Sequence, residues 1–197
     1  MRLLPFVALF VLGCGPARHV CPTGFVGDPK LAAEAVVIWT DGINDTFADL
    51  TDGQALPLEP PPQGGYVIYV AARVRNMDGC ALQFRGRLRD ADTHDEVGYD
   101  ARSSNLVVRA DGYGYPEANN SDVSNVNGCP QVSPKDVQGK TYDLEMTVVD
   151  QDGRTVVVVK PVVPTCSLAD PIIQNHCVCT CSANYFPGKC GFGDGGA

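Results

Sequence analysis

The chain has 197 residues, of which 44% are hydrophobic and 19% are charged, so it has enough apolar residues for a buried core and does not have the composition of a disordered protein. Its formal net charge of −8 argues against a general attraction to nucleic acid or to anionic lipid. The 21 glycines and 15 prolines are typical of turn-rich, all-β domains, and no internal segment approaches the roughly 20 apolar residues that a membrane-spanning helix needs.

Residues 1–13 have the pattern of an export signal. Arg2 precedes an apolar run that is too short to cross a membrane as a helix. The run ends in V-L-G-C, with Cys14 last, and this resembles the lipobox of bacterial lipoproteins. The resemblance implies cleavage before Cys14, lipid on its sulfur and acylation of its amine, which makes the membrane a partner; Gly15, where inner-membrane lipoproteins often have aspartate, favours the outer membrane. An ordinary secretory signal cut near Cys14 is the alternative.

The cysteines give a second indication of the compartment. There are nine of them, and lipidation of Cys14 would leave eight, which in an oxidising cell envelope predicts up to four disulfides. We expect local bridges within residues 166–190, one bridge from that segment to Cys21, and a bridge between Cys80 and Cys129. The eight candidates are Cys21, Cys80, Cys129, Cys166, Cys177, Cys179, Cys181 and Cys190.

Residues 14–33 are expected to form a lipid-anchored tether, and residues 34–164 a β domain. Alternating apolar residues predict strands along this domain, interrupted by a proline-rich connection and by a polar segment over 111–136. No part of the mature chain has helical periodicity. The predicted strands cover residues 34–40, 66–76, 80–90, 96–100, 105–110, 141–150 and 154–164.

The second and third of these strands are predicted to form a hairpin. The intervening Met77-Asp78-Gly79 resembles a three-residue loop with glycine in the left-handed position. Such a loop would pair Val74 with Leu82 and would place both apolar faces on the same side.

About seven half-apolar strands predict an all-β fold, an antiparallel sandwich of two sheets. Residues 139–144, G-K-T-Y-D-L, resemble the start of the penultimate strand in immunoglobulin-like sandwiches, where Tyr142 would be the tyrosine-corner residue. The resemblance covers residues 34–164, and a cysteine-rich tail follows over 165–197. Since this fold hosts many activities, the resemblance implies none in particular.

Five arginines are predicted on the outward face of the hairpin. They could bind an anionic glycan or a phosphate, which suit the arginine fork. We favour the alternative that they pair with Asp143 and Glu145 on a neighbouring strand, with Tyr69 stacked on Arg87. The five are Arg73, Arg75, Arg85, Arg87 and Arg89.

The tail also permits a metal or redox site. His176, Cys177, Cys179 and Cys181 could together bind a soft metal such as copper(I), although the spacing fits neither a zinc site nor a thioredoxin-like centre. Aspartates within residues 41–52 could bind calcium, but turn formation explains them more simply.

No motif for nucleophilic, metal-dependent or phosphate chemistry surrounds the three histidines. We therefore expect no catalytic residue and no cofactor. The favoured function is that of a non-catalytic, lipid-anchored protein of the Gram-negative cell envelope with a structural or binding role toward a protein or glycan. The alternative is an envelope metal-binding or redox protein.

Overall fold

The computed structural model describes residues 21, 23–41, 46–130 and 137–191. The predicted signal peptide and Cys14 lie outside these residues, as does Asp45, one of the aspartates considered for calcium binding. Thirteen strands and one helix form within them, in the order β1 (Phe25–Val26), β2 (Glu34–Thr40), β3 (Ala48–Asp49), β4 (Gln54–Pro57), β5 (Tyr66–Arg75), β6 (Met77–Asp78), β7 (Leu82–Asp90), β8 (Glu96–Ser104), β9 (Val107–Val108), β10 (Gly114–Tyr115), β11 (Ser124–Cys129), β12 (Tyr142–Val149), β13 (Thr155–Thr165) and α1 (Pro171–Thr180).

The long strands form two sheets that pack face to face. Sheet I has the order β3-β2-β5-β10-β9, and β11 also pairs with β5. Sheet II has the order β4-β13-β12-β7-β8, in which β4 runs parallel to β13 and the other pairs are antiparallel. The predicted two-sheet sandwich is confirmed.

Six of the seven long strands are divided between the sheets as in an immunoglobulin-like sandwich, whereas the fourth, β8, pairs with β7 in sheet II and does not join β11 in sheet I. In that fold the first, second and fifth strands share one sheet, as β2, β5 and β11 do here, while the third, sixth and seventh share the other, as β7, β12 and β13 do. Tyr142 begins β12, is buried, and lies between Asp90 and Val162 in the register, which is the position that the resemblance implied.

The main core lies between the sheets, and a second, smaller apolar cluster covers the outer face of sheet I. Ile38, Val67, Tyr69, Ala71 and Val123 form this second cluster, with Phe47 and Tyr115 packed on it. Strand β5 is therefore buried on both faces, which explains why its sequence is nearly all apolar. By contrast, β7 alternates buried Leu82 and Phe84 with arginines because only one of its faces is covered.

The predicted hairpin between β5 and β7 is wrong. The two strands belong to different sheets, so their apolar faces coincide because they face each other across the core, and Val74 pairs with Ala35 rather than with Leu82. The chain crosses between sheets through positive φ angles at Asn76 and Ala81, of 58° and 45°. The side chain of Asn76 supports the crossing by accepting from Asp28 N and donating to Ala32 O.

The short strands β1, β3, β4, β6 and β10 were not predicted, and neither were two of the longer elements. Strand β11 lies in the segment expected to be polar and irregular, and α1 lies in the tail although no helical period was found. The side chain of Asp170 caps α1 by accepting from Ile172 N at 2.8 Å, and Pro171 occupies the first turn, where a missing N–H is harmless. Among the described residues, no helix is both long and apolar enough to cross a membrane.

The sandwich has two poles. At the N-terminal pole, residues 23–33 pack against the crossing at 76–81 and against the turn at 150–154: Arg154 donates to the carbonyl groups of Pro29, Leu31 and Asn76. The tail pole, at the other end of β5, carries residues 57–65, the end of β11, and α1, and there Tyr66 contacts α1 through its hydroxyl. The segment predicted as a tether is thus folded onto the domain from residue 23 onward.

Candidate functional site

The five predicted arginines do not form one patch. Arg73 and Arg75 lie on β5 in sheet I, whereas Arg85, Arg87 and Arg89 lie on β7 in sheet II. Because the outer faces of the two sheets point in opposite directions, the predicted single stripe is wrong. It depended on the hairpin, which does not form.

On sheet II, Arg87 and Arg89 form ion pairs, whereas Arg85 donates to the side chain of Gln83 at 2.7 Å. Arg87 contacts Glu145 and Glu96, both at 3.5 Å, and Arg89 contacts Glu145 at 3.3 Å. The predicted cross-strand partner Glu145 is therefore confirmed. The aromatic partner differs from the prediction: the guanidinium of Arg87 lies 5.5 Å from the ring of Tyr99, since Tyr69 belongs to the small cluster on the opposite sheet.

On sheet I the charge of Arg73 is fully satisfied. It makes two hydrogen bonds to Asp49, of 3.0 and 2.8 Å, and a third to Asp111 at 3.2 Å, while its guanidinium stacks 4.4 Å from the ring of Tyr113. The hydrogen bonds to Asp49 are the main cause that raises the pKa of Arg73. A hydrogen bond of 2.7 Å from the Tyr115 hydroxyl is the main cause that lowers the pKa of Asp111, so both groups stay ionised.

Two exposed arginines on the same face have aromatic contacts in place of carboxylates. Arg109 stacks 4.2 Å from the ring of Tyr115 and 5.7 Å from that of Phe47, and Arg75 lies 5.9 Å from the ring of Tyr113. Within the described ranges neither forms an ion pair. Sequence analysis did not select Arg109, because an aromatic residue six positions later, or one in a distant part of the chain, gives no pattern that predicts stacking.

The described histidines lie in two unrelated settings. His94 is exposed in the turn between β7 and β8, with φ of 61°, and its carbonyl group accepts from Arg89. His176 is in α1, where its Nδ1 lies 2.8 Å from the hydroxyl of Tyr66. The contact joins the tail to the first residue of β5 and explains His176 as a packing residue of the tail pole.

All eight predicted cysteines are in disulfides: Cys21–Cys80, Cys129–Cys181, Cys166–Cys177 and Cys179–Cys190. The two local bridges of the tail are as expected. The predicted bridge between Cys80 and Cys129 is wrong, as is that between Cys21 and the tail. The reason is geometric, since Cys80 lies at the N-terminal pole and Cys129 at the tail pole.

The pairing alters the predicted metal cluster. Cys179 is not part of the cluster because it forms a disulfide with Cys190. The sulfurs that do lie together, within 4.8 Å of one another, are those of Cys166, Cys177 and Cys181. Metal binding needs thiolates, and each of these sulfurs is part of a disulfide. In this oxidised form the cysteine cluster closes the tail onto the sandwich and offers no thiolate.

A pocket of about 280 Å³ opens at the tail pole. Its wall consists of residues 63–67 on one side and of Asn127, Cys129 and Pro130 on the other. Gly64 and Gly65 have φ of 89° and 75°, and a Cβ at Gly65 would lie 2.7 Å from the carbonyl oxygen of Cys129. Glycine is thus required there by both conformation and close approach.

Comparison with known proteins gives no identification. No protein-family model matches the chain, and no curated protein matches it either.

Proposed function

We propose that this chain is a lipid-anchored, non-catalytic protein of the Gram-negative cell envelope, attached through Cys14 and held in the outer membrane, with a structural or binding role toward a protein or glycan. The observation that carries the proposal is the cysteine pairing. The eight described cysteines are satisfied among themselves, which leaves Cys14 of the lipobox-like sequence available for lipid.

The disulfides also support the compartment. Four disulfides in a chain of this size are typical of proteins that mature in an oxidising envelope or outside the cell. Each methylene group buried in the membrane contributes about 0.8 kcal/mol, and a single acyl chain therefore gives only weak, reversible attachment. The lipobox type of modification supplies several acyl chains, which is enough for a stable anchor.

The two poles suit an anchored binding module. The lipid attachment point would precede the N-terminal pole, where Cys21 is bonded to Cys80. The tail pole is one β5 length away: ten residues at about 3.3 Å each give roughly 33 Å. The pocket and α1 would then face away from the membrane, toward whatever the protein binds.

For a glycan partner, the outer face of sheet I is the better surface. Arg75 and Arg109 are exposed and make no ion pair with described carboxylates, and stacking on Tyr113 and Tyr115 holds their guanidinium groups on this face, where they can bind an anionic group of a glycan. The arginines of sheet II are less suitable because Arg87 and Arg89 are already paired with carboxylates.

Lipidation is tested by labelling with an alkyne fatty acid in a Gram-negative host. We expect label on the wild-type chain, an N-terminus at Cys14 by mass spectrometry, and recovery in the outer-membrane fraction. The Cys14→Ser variant should lose the label and should not be cut before residue 14. The matched control, Cys21→Ser, removes a different cysteine and should keep the label. Label that persists without Cys14 would refute the proposal.

A further inference from the structure

Two disulfides of the tail pole lie against each other. Cys166–Cys177 is internal to the tail, whereas Cys129–Cys181 joins the tail to β11 in sheet I. The sulfurs of Cys177 and Cys181 are 3.9 Å apart, close to contact. All four residues are buried, with at most 5% of their surface exposed.

This contact places each disulfide within reach of the other for exchange. A thiolate exchanges by attacking one sulfur of a disulfide and expelling the other sulfur as a new thiolate. A thiolate released at Cys181 would begin 3.9 Å from the sulfur of Cys177. The bridge that would result joins positions one helical turn apart, about 6 Å between Cα atoms, which is within the range that a disulfide spans.

The pocket at the tail pole gives a small thiol access to one of these disulfides. Cys129 lines this pocket together with Gly64 and Gly65. Of the four cysteines, Cys129 is the one that lines the pocket, so a small molecule of thiol class that enters from solvent reaches this residue before Cys166, Cys177 or Cys181.

We propose that the tail pole is a thiol-exchange site in which one low-molecular-weight thiol rearranges the two disulfides. The thiolate attacks the sulfur of Cys129 and forms a mixed disulfide there, and the S–S bond to Cys181 breaks with its electron pair on Cys181. The Cys181 thiolate attacks Cys177, forming Cys177–Cys181 and expelling Cys166, which takes a proton from water. Two disulfide bonds break and two form, so no further oxidant or reductant is consumed.

The rearrangement removes the cross-link between tail and sandwich. Among the described residues, Cys129–Cys181 joins the end of α1 to β11 and Cys166–Cys177 joins α1 to the residue that follows β13, whereas Cys179–Cys190 lies within the tail. The rearrangement breaks the first two of these bridges. The product has only internal tail bridges, and α1 is then held by noncovalent contacts such as those of Tyr66 with Ile173 and His176. A thiol would thus release the disulfide attachment of α1 to the sandwich. This release depends on described residues alone and is independent of the lipid anchor.

The test is disulfide mapping of the oxidised full chain after brief exposure to reduced glutathione under native conditions. Free thiols are then blocked with iodoacetamide, and the peptides are analysed by mass spectrometry. We expect glutathione on Cys129, the blocking group on Cys166, and a closed loop between Cys177 and Cys181. A blocking group on Cys181 together with an intact Cys166–Cys177 bridge would overturn the exchange step. Failure of the folded chain to react, with reaction only after denaturation, would overturn the proposed access through the pocket.

Two variants separate the relay from general reduction. Cys179→Ser with Cys190→Ser removes the tail bridge that takes no part, and it should give the same products as the wild type. Cys166→Ala with Cys177→Ala removes the acceptor disulfide, so the blocking group should move to Cys181. If the second variant does not fold, the wild type and the first variant still decide the outcome, because the position of the blocked thiol alone distinguishes the two routes.

Discussion

The close approach of the two sheets at Gly98 gives a sharp test of the packing. Gly98 is buried on β8 in sheet II, and a Cβ added there would lie 2.0 Å from the carbonyl oxygen of Asn127 in sheet I. Apart from atoms of their own and the two adjacent residues, Cβ atoms essentially never come within 3.0 Å of a heavy atom. Gly98→Ala therefore requires the backbones to separate by about 1 Å, since no side-chain rotation moves a main-chain oxygen.

The size of the effect follows from what a gap does to a packed core. A radial gap of 0.5–1 Å forfeits about a quarter to a half of each dispersion contact, and overpacking of a core costs about 1–3 kcal/mol. A clash with backbone belongs at the upper end, so we expect Gly98→Ala to lower the free energy of unfolding by about 3 kcal/mol. At about 2–4 °C per kcal/mol for a domain of this size, Tm falls by about 6–12 °C.

The assay is urea unfolding of the disulfide-bonded chain, followed by the fluorescence of Trp39, the single tryptophan. Gly86→Ala should cost less, because its Cβ meets a side-chain methyl of Val126 at 2.5 Å, and that side chain can shift. Gly153→Ala is the control: its φ of 82° is strained for alanine, but no atom lies within 4 Å, so the cost should be about 1–2 kcal/mol. If Gly98→Ala costs no more than Gly153→Ala, the sheets do not approach as closely as described.

Two further predictions use the same unfolding assay. Burial, with a smaller contribution from Asp41, raises the pKa of Glu59, so the stability gained from its protonated form is present below the ordinary glutamate pKa and is lost as pH rises through the folded pKa. Glu59→Gln should therefore raise the urea midpoint at neutral pH and leave it nearly unchanged in acid; equal shifts at both pH values would contradict the sign. Asp150 is buried and accepts from the backbone N of Asp78 at 3.1 Å and of Arg154 at 2.8 Å, so Asp150→Ala should cost about 1–3 kcal/mol. Asp152→Ala, at an exposed neighbouring position, is the control. If Asp150→Ala costs no more than Asp152→Ala, the two hydrogen bonds contribute nothing to stability.

The sequence predicted strands correctly where one face of the strand is buried and the other face is exposed to solvent. Strand β12 alternates buried Tyr142, Leu144 and Met146 with partly exposed polar residues, and β2 has the predicted bounds. Alternation reports which side chains point inward, but it does not report which sheet a strand joins. For that reason the prediction of which residues of β5 and β7 point inward was correct, while the prediction that these strands form a hairpin was wrong.

Elements that are rich in polar residues, yet buried, were not predicted. Strand β11 reads S-N-V-N-G-C, yet its Asn125 donates its backbone N–H to Asp100 at 2.9 Å and its Val126 is fully buried. The helix α1 is short and held by disulfides, so an amphipathic period is not what stabilises it. A signal for its start was nevertheless present, because aspartate followed by proline is a common helix N-terminus.

The cysteines show the same limit. Their number indicated four disulfides, but the partners depend on which pole each cysteine occupies, and this follows from the sheet topology. Once β5 and β7 belong to different sheets, Cys80 at the start of β7 and Cys129 at the end of β11 are separated by the length of the sandwich.

The bridge between Cys21 and Cys80 has a mechanical consequence. Strands β1 and β6 pair with each other in a separate two-stranded sheet. Tension on the chain before Cys21 enters the domain at Cys80, in the covalent crossing between the two large sheets, and does not act through the pairing of β1 with β6. The load is then divided between β5 and β7, one in each sheet, and is directed along strands of ten and nine residues. Their hydrogen bonds resist such a pull together in shear, whereas a load on an edge strand would open them one after another.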